Sequence, residues 1–416
     1  GPLGQALSVD TGRSTFAHFE AMKSVELIRM WAERAGPILD ELVGAGQSGQ
    51  VPAVHYQHRL IPYQVVAVIS PWNVPLLLAM IDSLAALSAG CSVLLKPSEV
   101  TPRFIEPLQR ALDAVPELAA VLRIVTGGPD TGKAMIEQVD AVCFTGSVKT
   151  GRQVSQQAAA CFIPAFLELG GKDPAIVLPD ADIPLAARAI IRSAIGMTGQ
   201  ACQSLERIYC HESIAEPFTE ELLAQLRVLS LTCTDDGAGD IAPLIFERQV
   251  ETIQAQVDDA LAKGATCLLG GEPVQAGGIW YPPTLLTNVN HDMLIMQEET
   301  FGPVIPVVIY GDVEEAVSLA NDSTFGLSAA VFSADADTAK AVAERLQVGA
   351  ISINDASLTG IVNDVEKNSF RFSGMGGSRM GPAGLTRFLR KRALLIQTGE
   401  PAPVQLFSDT AQDTTH

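Results

Sequence analysis

Charge is scarce in this chain. Only 18% of its 416 residues are charged while 47% are hydrophobic, against roughly 25% charged in an average soluble protein. A composition this apolar can bury a large core, which excludes an intrinsically disordered chain. Positive charge is scarcer still. Lys and Arg total 28 against 47 Asp and Glu, a net charge of −19, which repels phosphate backbones and anionic lipid at long range. Nucleic acid is therefore not an expected partner. The seven cysteines (Cys91, Cys143, Cys161, Cys202, Cys210, Cys233 and Cys267) are odd in number and nowhere spaced as CxxC. Neither a disulfide framework nor a structural zinc site is indicated, no metal is expected, and a reducing compartment, the cytoplasm, is the expected location. Long apolar runs are lacking too. The most apolar stretch, Val74 to Leu95, is broken by Pro75, Asp82, Ser83, Ser88 and Gly90, which argues against membrane insertion and for a buried helix followed by a buried strand. No basic segment leads into a short apolar stretch and a small-residue cleavage site. Gly1-Pro2-Leu3-Gly4 reads as the remnant of a cleaved tag, and residues 403–416 as a polar, flexible tail.

What is present is punctuation and alternation. The 35 Gly and 25 Pro fit many short elements joined by tight turns, and the length suggests two or three domains. Phe16 to Val43 carries Met22, Val25, Leu27, Ile28 and Trp31 at helical spacing, which predicts two amphipathic helices broken near Gly36-Pro37. Val51 to Ile69 reads as a hairpin that ends in the buried strand Gln64–Ile69. From there strand-like runs (Ser92–Leu95, Leu122–Val125, Ala141–Phe144, Ala175–Val177, Arg207–Cys210, Val304–Ile309, Ala329–Phe332 and Ala350–Ile353) alternate with helix-length segments. That alternation predicts an α/β fold with mainly parallel sheets.

Four junctions carry chemistry-bearing residues. Phe144-Thr145-Gly146-Ser147 follows an apolar strand and opens a helix, where backbone N–H groups and the positive helix end favour a pyrophosphate. Leu95-Lys96-Pro97-Ser98-Glu99 sets a cation and an acid just beyond a buried strand; the acid would accept from a ribose diol and repel a 2′-phosphate. Glu168 closes an apolar run before Gly170-Gly171, and a buried carboxylate tends to hold its proton until near neutral pH, as a general base there must. The competing reading pairs Glu168 with Lys172 as a structural ion pair. Cys202 lies in the small, polar loop Gly199-Gln200-Ala201-Cys202 instead of an apolar strand, and the six histidines form no cluster beside it. A nucleophilic thiol there would have to find its base elsewhere, and Glu168 is one candidate. Taken singly, each junction also fits an ordinary turn.

Taken together, the junctions resemble the aldehyde dehydrogenase superfamily, with the motifs in the family's order. Pro71-Trp72-Asn73-Val74-Pro75, Lys96-Pro97-Ser98-Glu99, Phe144-Thr145-Gly146-Ser147, Glu168-Leu169-Gly170-Gly171-Lys172, Gly199-Gln200-Ala201-Cys202 and Glu299-Thr300-Phe301-Gly302-Pro303 follow one another. The 34-residue step from Glu168 to Cys202 is also the family's. The resemblance implies that Cys202 is the nucleophile, that Asn73 and the Cys202 N–H hold the developing oxyanion, and that Glu168 activates the water that hydrolyses a thioester. It implies NAD as cofactor, with NADP as the alternative. Lys96 and Glu99 would hold the adenosine ribose, Gly146 and Ser147 the pyrophosphate, Glu299 and Phe301 the nicotinamide end, Trp72 the groove wall and Gly170 the close approach of the chain. A free acid is the implied product; thioester transfer to CoA and an inactive NAD-binding scaffold are the alternatives.

The implied architecture is a Rossmann-like cofactor domain (8–43 and 64–170), an α/β catalytic domain (171–372) and a small β oligomerisation arm (44–63 and 394–400) that would make a homodimer or homotetramer. The pocket candidates are Leu77, Leu78, Ile81, Ala201, Gln203 and Phe372, and the segment Ser357–Phe370 forms a further wall. The helix expected after Asn73 (Leu76, Leu77, Leu78, Met80 and Ile81) is aliphatic and carries no Arg or Lys, which predicts an uncharged apolar aldehyde, medium-chain aliphatic or aromatic. The chain departs from the family's C-terminal glycines at Ser373 and Arg379, so a charge is expected at the substrate mouth. Pro71-Trp72-Asn73 also arrives earlier than in typical members of the family, and this shorter front is expected to affect adenine packing and expression and not the chemistry.

Overall fold

The computed structural model describes residues 1–233 and 239–407; residues 408–416 of the expected tail lie outside them. The chain opens with α1 (Pro2–Thr11) and α2 (Ser14–Leu42). The four residues read as a tag remnant do not stand off the fold: Pro2 begins α1, Gly4 is buried, and Leu3 packs on the core of the first sheet. The break expected at Gly36-Pro37 is absent. Pro37 lies inside α2 on its solvent side, where the lost N–H bond and the ring can be absorbed by a gentle bend. The face that α2 buries also differs from the expected one. Ala17, Glu20, Ser24, Leu27 and Trp31 point inward, whereas Met22, Val25 and Ile28 are exposed, because two charged or polar side chains on the inner face have partners to satisfy.

Next come β1 (Ala45–Gln47) and β2 (Val54–Pro62), which pair antiparallel. The strand Leu389–Gln397 pairs with β2 along its whole length, from Val54↔Gln397 to Pro62↔Leu389. It therefore starts earlier than the expected 394–400 and completes a three-stranded sheet within the chain.

The first large sheet contains β3 (Val65–Ile69), followed by α3 (Pro75–Ser88), β4 (Ser92–Lys96), β5 (Leu122–Ile124), β6 (Ala141–Thr145) and β7 (Ala165–Glu168). Its order is Gly374–Met375, β7, β6, β3, β4, β5, parallel apart from the Gly374–Met375 edge. The winding reverses between β3 and β6, and in such sheets ligands bind beyond the carboxyl ends of the strands at that reversal. After Glu168 the chain crosses to a seven-stranded sheet through β8 (Asp173–Val177) and β9 (Leu205–His211). Its order is Thr266–Leu269, Thr284–Thr287, Val304–Tyr310, β9, β8, Ser328–Phe332, Ala350–Ile353. Thr266–Leu269 and Thr284–Thr287 were not legible as strands; they are four residues each and the first, on the edge, is only half-buried. β8 and β9 are buried nearly throughout, as expected of strands covered by helices on both faces.

Candidate active site

The carboxyl ends of β3, β4, β6 and β7 face a cleft that is closed on its other side by loops feeding the amino ends of β9 and of Val304–Tyr310. A cavity of about 550 Å³ lies between them. Cys202, Glu168 and Asn73 line it together with Trp72, Lys96, Glu99, Gly146, Ser147, Gly170, Glu299 and Phe301. Eleven residues spread over some 230 positions of sequence thus converge on one space.

Each is held by a local cause. Ser147 caps the helix Val148–Ala160 by accepting from Thr150 N at 3.3 Å, and both residues line the cavity, which sets a helix N-terminus against the cleft. Lys96, buried at the end of β4, reaches Glu99 at 3.4 Å. Trp72 meets Phe301 edge-on at 5.4 Å and Phe246 at 5.9 Å, an arrangement aromatic rings favour. Gly171 is sterically required, because a Cβ there would collide with the Cys202 backbone carbonyl, while one on Gly170 would sit 2.5 Å from Glu299 Oε2 and displace that carboxylate. Lys172 does not pair with Glu168. Its ammonium, fully buried, lies 2.7 Å from Glu206 and donates to Thr300 Oγ1 at 2.8 Å. Glu206 in turn accepts from the backbone N–H groups of Thr300 and Phe301 at 2.7 and 2.8 Å, so this pair fixes the loop that carries Glu299 and Phe301.

Around the thiol burial opposes ionisation, and the neighbouring charges act in both directions. Burial pushes the Cys202 thiol up to about 12; the Lys367 ammonium favours the thiolate, while Glu299, Asp173 and Glu168 disfavour it. Burial, reinforced by Glu206, likewise pushes Glu299 up to about 8, against the Gly171 N–H that it accepts at 3.0 Å. Glu168 accepts from Ser369 Oγ at 2.8 Å and has Lys367 Nζ at 3.6 Å. The Asn73 amide donates to the Gln200 carbonyl at 3.0 Å, which ties it to the Cys202 loop and leaves its second N–H free to donate.

The pocket candidates fare unevenly. Leu78 lines the cavity. Leu77, Ile81, Ala201, Gln203 and Phe372 do not: the Leu77 N–H is engaged by Glu20, Ile81 is buried, and the Gln203 carbonyl accepts from Ser357 at 2.8 Å. Phe372 is exposed, with its ring 4.2 Å from the Arg152 guanidinium. An apolar helix turned one face to the cavity and the rest to the core, and sequence alone could not say which. Phe246, Gln249 and Thr252 complete the lining without any sequence signal beyond an aromatic in a loop.

Arg379 does not reach the substrate mouth either. It is buried, 2.5 Å from Asp82, and donates to Thr145 Oγ1 at 2.9 Å. Arg387 takes the other Asp82 oxygen. Burial alone would raise the Asp82 pKa, but the two guanidinium groups together hold it below the usual carboxylate value. Asp82→Ala would strand both cations, and breaking a buried pair in this way costs about 3–5 kcal/mol. A midpoint in urea unchanged from that of the wild type would contradict the assignment.

An open α/β sheet with a cleft at its switch point, abutting a second sheet whose loops bring a thiol and a carboxylate to that cleft, has the layout of a dinucleotide-dependent enzyme. The aldehyde dehydrogenase family model matches residues 2–394, and the chain belongs to that family. The structure of the putative aldehyde dehydrogenase PutA from Anabaena variabilis is 51% identical and superposes with a TM-score of 0.94, covering 97% of this chain and 86% of that one. The 4,4'-diapolycopene aldehyde oxidase of Methylomonas sp is 38% identical over 86% of this chain and 66% of its own length. A putative NADP(+) succinate-semialdehyde dehydrogenase of Mycolicibacterium smegmatis is 35% identical over 94% of this chain and 76% of its own length. The chain thus spans about two-thirds to three-quarters of these two curated relatives. Among the described residues no helix is long and apolar enough to cross a membrane.

Proposed function

We propose that this chain oxidises an uncharged, apolar aldehyde to the carboxylic acid with NAD(P)+. The observation that carries the reading is the convergence of Cys202, Glu168 and Asn73 on the same cavity as the Lys96, Ser147, Glu299 and Phe301 cradle. That cradle suits a dinucleotide: a capped helix start for the pyrophosphate, an acid and a cation for a ribose, and a glycine at 170 that leaves Glu299 its place in the cleft. When bound, NAD(P)+ supplies the hydride acceptor.

The chain's own residues do the rest. Cys202 Sγ attacks the aldehyde carbon, its proton passing to Glu168 or to water, since the resting thiol is protonated at neutral pH. The carbonyl oxygen becomes an alkoxide, which the free N–H of the Asn73 amide and the Cys202 backbone N–H stabilise; one such donor is worth about 10²–10³ in turnover. Oxidation leaves a thioester on Cys202. Glu168, steadied by Ser369, takes a proton from water, the hydroxide adds to the acyl carbon, and the acid departs as Sγ regains its electrons. Glu168 is the reason to favour hydrolysis over transfer to CoA.

The substrate class follows from the lining. Trp72, Leu78, Phe144, Leu169, Phe246 and Phe301 are apolar, and Lys96 is the one cation among the described lining residues, already engaged by Glu99. With Lys96 at the ribose end of the cleft and Lys367 facing the Glu168 carboxylate at 3.6 Å, no cation among the described residues of the site is left to hold a substrate carboxylate. Glu99 also disfavours a 2′-phosphate, which supports NAD over NADP. The test is NADH or NADPH formation at 340 nm without CoA. Hexanal and benzaldehyde are expected to exceed succinic semialdehyde in kcat/KM, and NAD+ to exceed NADP+. Equal or better use of succinic semialdehyde would overturn the substrate reading.

A further inference from the structure

The segment ahead of the first sheet touches the proposed chemistry directly. α1 and α2 meet at Gly12-Arg13, where Gly12 is left-handed at φ 66°, and Arg13 turns inward and is buried. Its guanidinium donates at 3.1 Å to the Asn73 carbonyl and at 2.6 Å to the Met197 carbonyl. These acceptors belong to different sheets. Asn73 follows β3; Met197 opens the turn Met197-Thr198-Gly199 that leads to Cys202. Met197 and Thr198 both adopt left-handed backbone (φ 55° and 58°), a conformation L residues resist unless neighbours over-determine it. Thr198 is anchored through its hydroxyl to the Ala242 carbonyl at 2.9 Å, and Arg13 anchors Met197.

Two turns along the same helix, Glu20 is also buried and accepts from the Leu76 and Leu77 N–H groups at 2.7 and 2.9 Å. It thereby caps α3 immediately after Asn73, where an acid meets unsatisfied donors and the positive helix end. Its burial is costly enough to push the carboxyl up to about 7, with Leu77, Leu76 and Arg13 acting to lower it. No ion pair within 4.0 Å joins Arg13 to Glu20 among the described residues, and both charges are spent on backbone of the site.

We propose that Arg13 is a positioning residue for aldehyde oxidation: one rigid, planar fork fixes the distance between the Asn73 amide and the Cys202 loop, the two halves of the oxyanion site. The inference rests on the function proposed above. A guanidinium suits the task because its donors diverge at fixed angles, whereas an ammonium on a flexible stem is a point charge. Misplacing reacting groups by about 1 Å can cost 10²-fold.

The experiment compares wild type, Arg13→Lys, Arg13→Met, Asn73→Ala and the Arg13→Met/Asn73→Ala double variant. Arg13→Met is expected to lower kcat about 10–100-fold with the KM for NAD+ within about twofold of wild type. Arg13→Lys should fall between. The double variant should be little worse than Asn73→Ala alone, because Arg13 acts through that amide; a merely structural role would instead give additive losses. Amide hydrogen exchange is measured alongside, and Arg13→Met should speed exchange in peptides covering 197–203 and 74–78 more than elsewhere. Wild-type kcat in Arg13→Met, full additivity with Asn73→Ala, or a loss confined to NAD+ binding would each overturn the proposal. A wild-type protein that oxidises no aldehyde would sink the functional reading, and the exchange data would still decide whether Arg13 holds the two segments.

Discussion

Cys202→Ala is expected to abolish NAD(P)H formation with every aldehyde, a loss on the order of 10⁴-fold or more, while NAD(P)+ still binds. The alanine removes the one thiol among the described residues lining the cavity, the proposed nucleophile, and the groove residues Lys96, Ser147, Glu299 and Phe301 are untouched. Residual turnover within tenfold of the wild type would remove Cys202 from the mechanism. The pH dependence has a definite sign. With the free thiol pushed up to about 12 by burial and by the surrounding carboxylates, the thiolate fraction grows about tenfold per pH unit across the neutral range. Alkylation of Cys202 by iodoacetamide should climb accordingly from pH 6 to 10 in the cofactor-free protein. It will not lead the other cysteines there, since Cys161 and Cys233 are exposed and Cys202 is not. Bound NAD(P)+ brings a positive nicotinamide ring, so the site-specific rate at Cys202 should rise when it is added, and a pH-independent rate would contradict the protonated resting thiol.

Glu168→Gln should separate the two half-reactions. Amide for carboxylate keeps the size and the contact with Ser369 Oγ but removes the base, and general-base catalysis is worth about 10²–10⁴-fold. The expected trace is a burst of NADH near one equivalent per active site, then a steady state slower by that factor as the thioester waits for unactivated water. Mass spectrometry of the quenched enzyme should find the acyl group on Cys202. Loss of the burst along with the steady state would mean that Glu168 acts earlier, in taking the thiol proton. Wild-type turnover in the variant would mean that it is not the base at all. A CoA-dependent steady state in wild type would assign the thioester to transfer instead.

How much of this was legible beforehand follows from the physics of each element. The alternation of apolar runs with amphipathic segments is a local signal, and it gave the α/β class and eight strand-like runs of the two sheets, because burial on both faces forces continuous aliphatic composition in the central strands. The motifs around Asn73, Lys96, Ser147, Glu168, Cys202 and Glu299 were legible because chemistry restricts residue type at strand ends. The inward face of α2 was misjudged for the opposite reason. Hydrophobic spacing favoured Met22, Val25 and Ile28, yet the buried positions include Glu20 and Ser24, whose presence inside makes sense only once a helix start 56 residues away needs a cap. Arg379 was expected at the substrate mouth, and only Asp82, nearly 300 positions earlier, explains why it lies buried.

By itself, then, the sequence determined the fold class, the family and the residue types that can do the chemistry, all of which are written in local pattern and order. Tertiary structure alone decided what each buried charge meets: Lys172 meets Glu206, Asp82 two arginines, Lys367 Glu168, and Arg13 the carbonyls of Asn73 and Met197. The reason is physical. Burying a charge is tolerable only against a partner at hydrogen-bond distance, and that partner is chosen by proximity in space, which the order of residues along a chain does not encode.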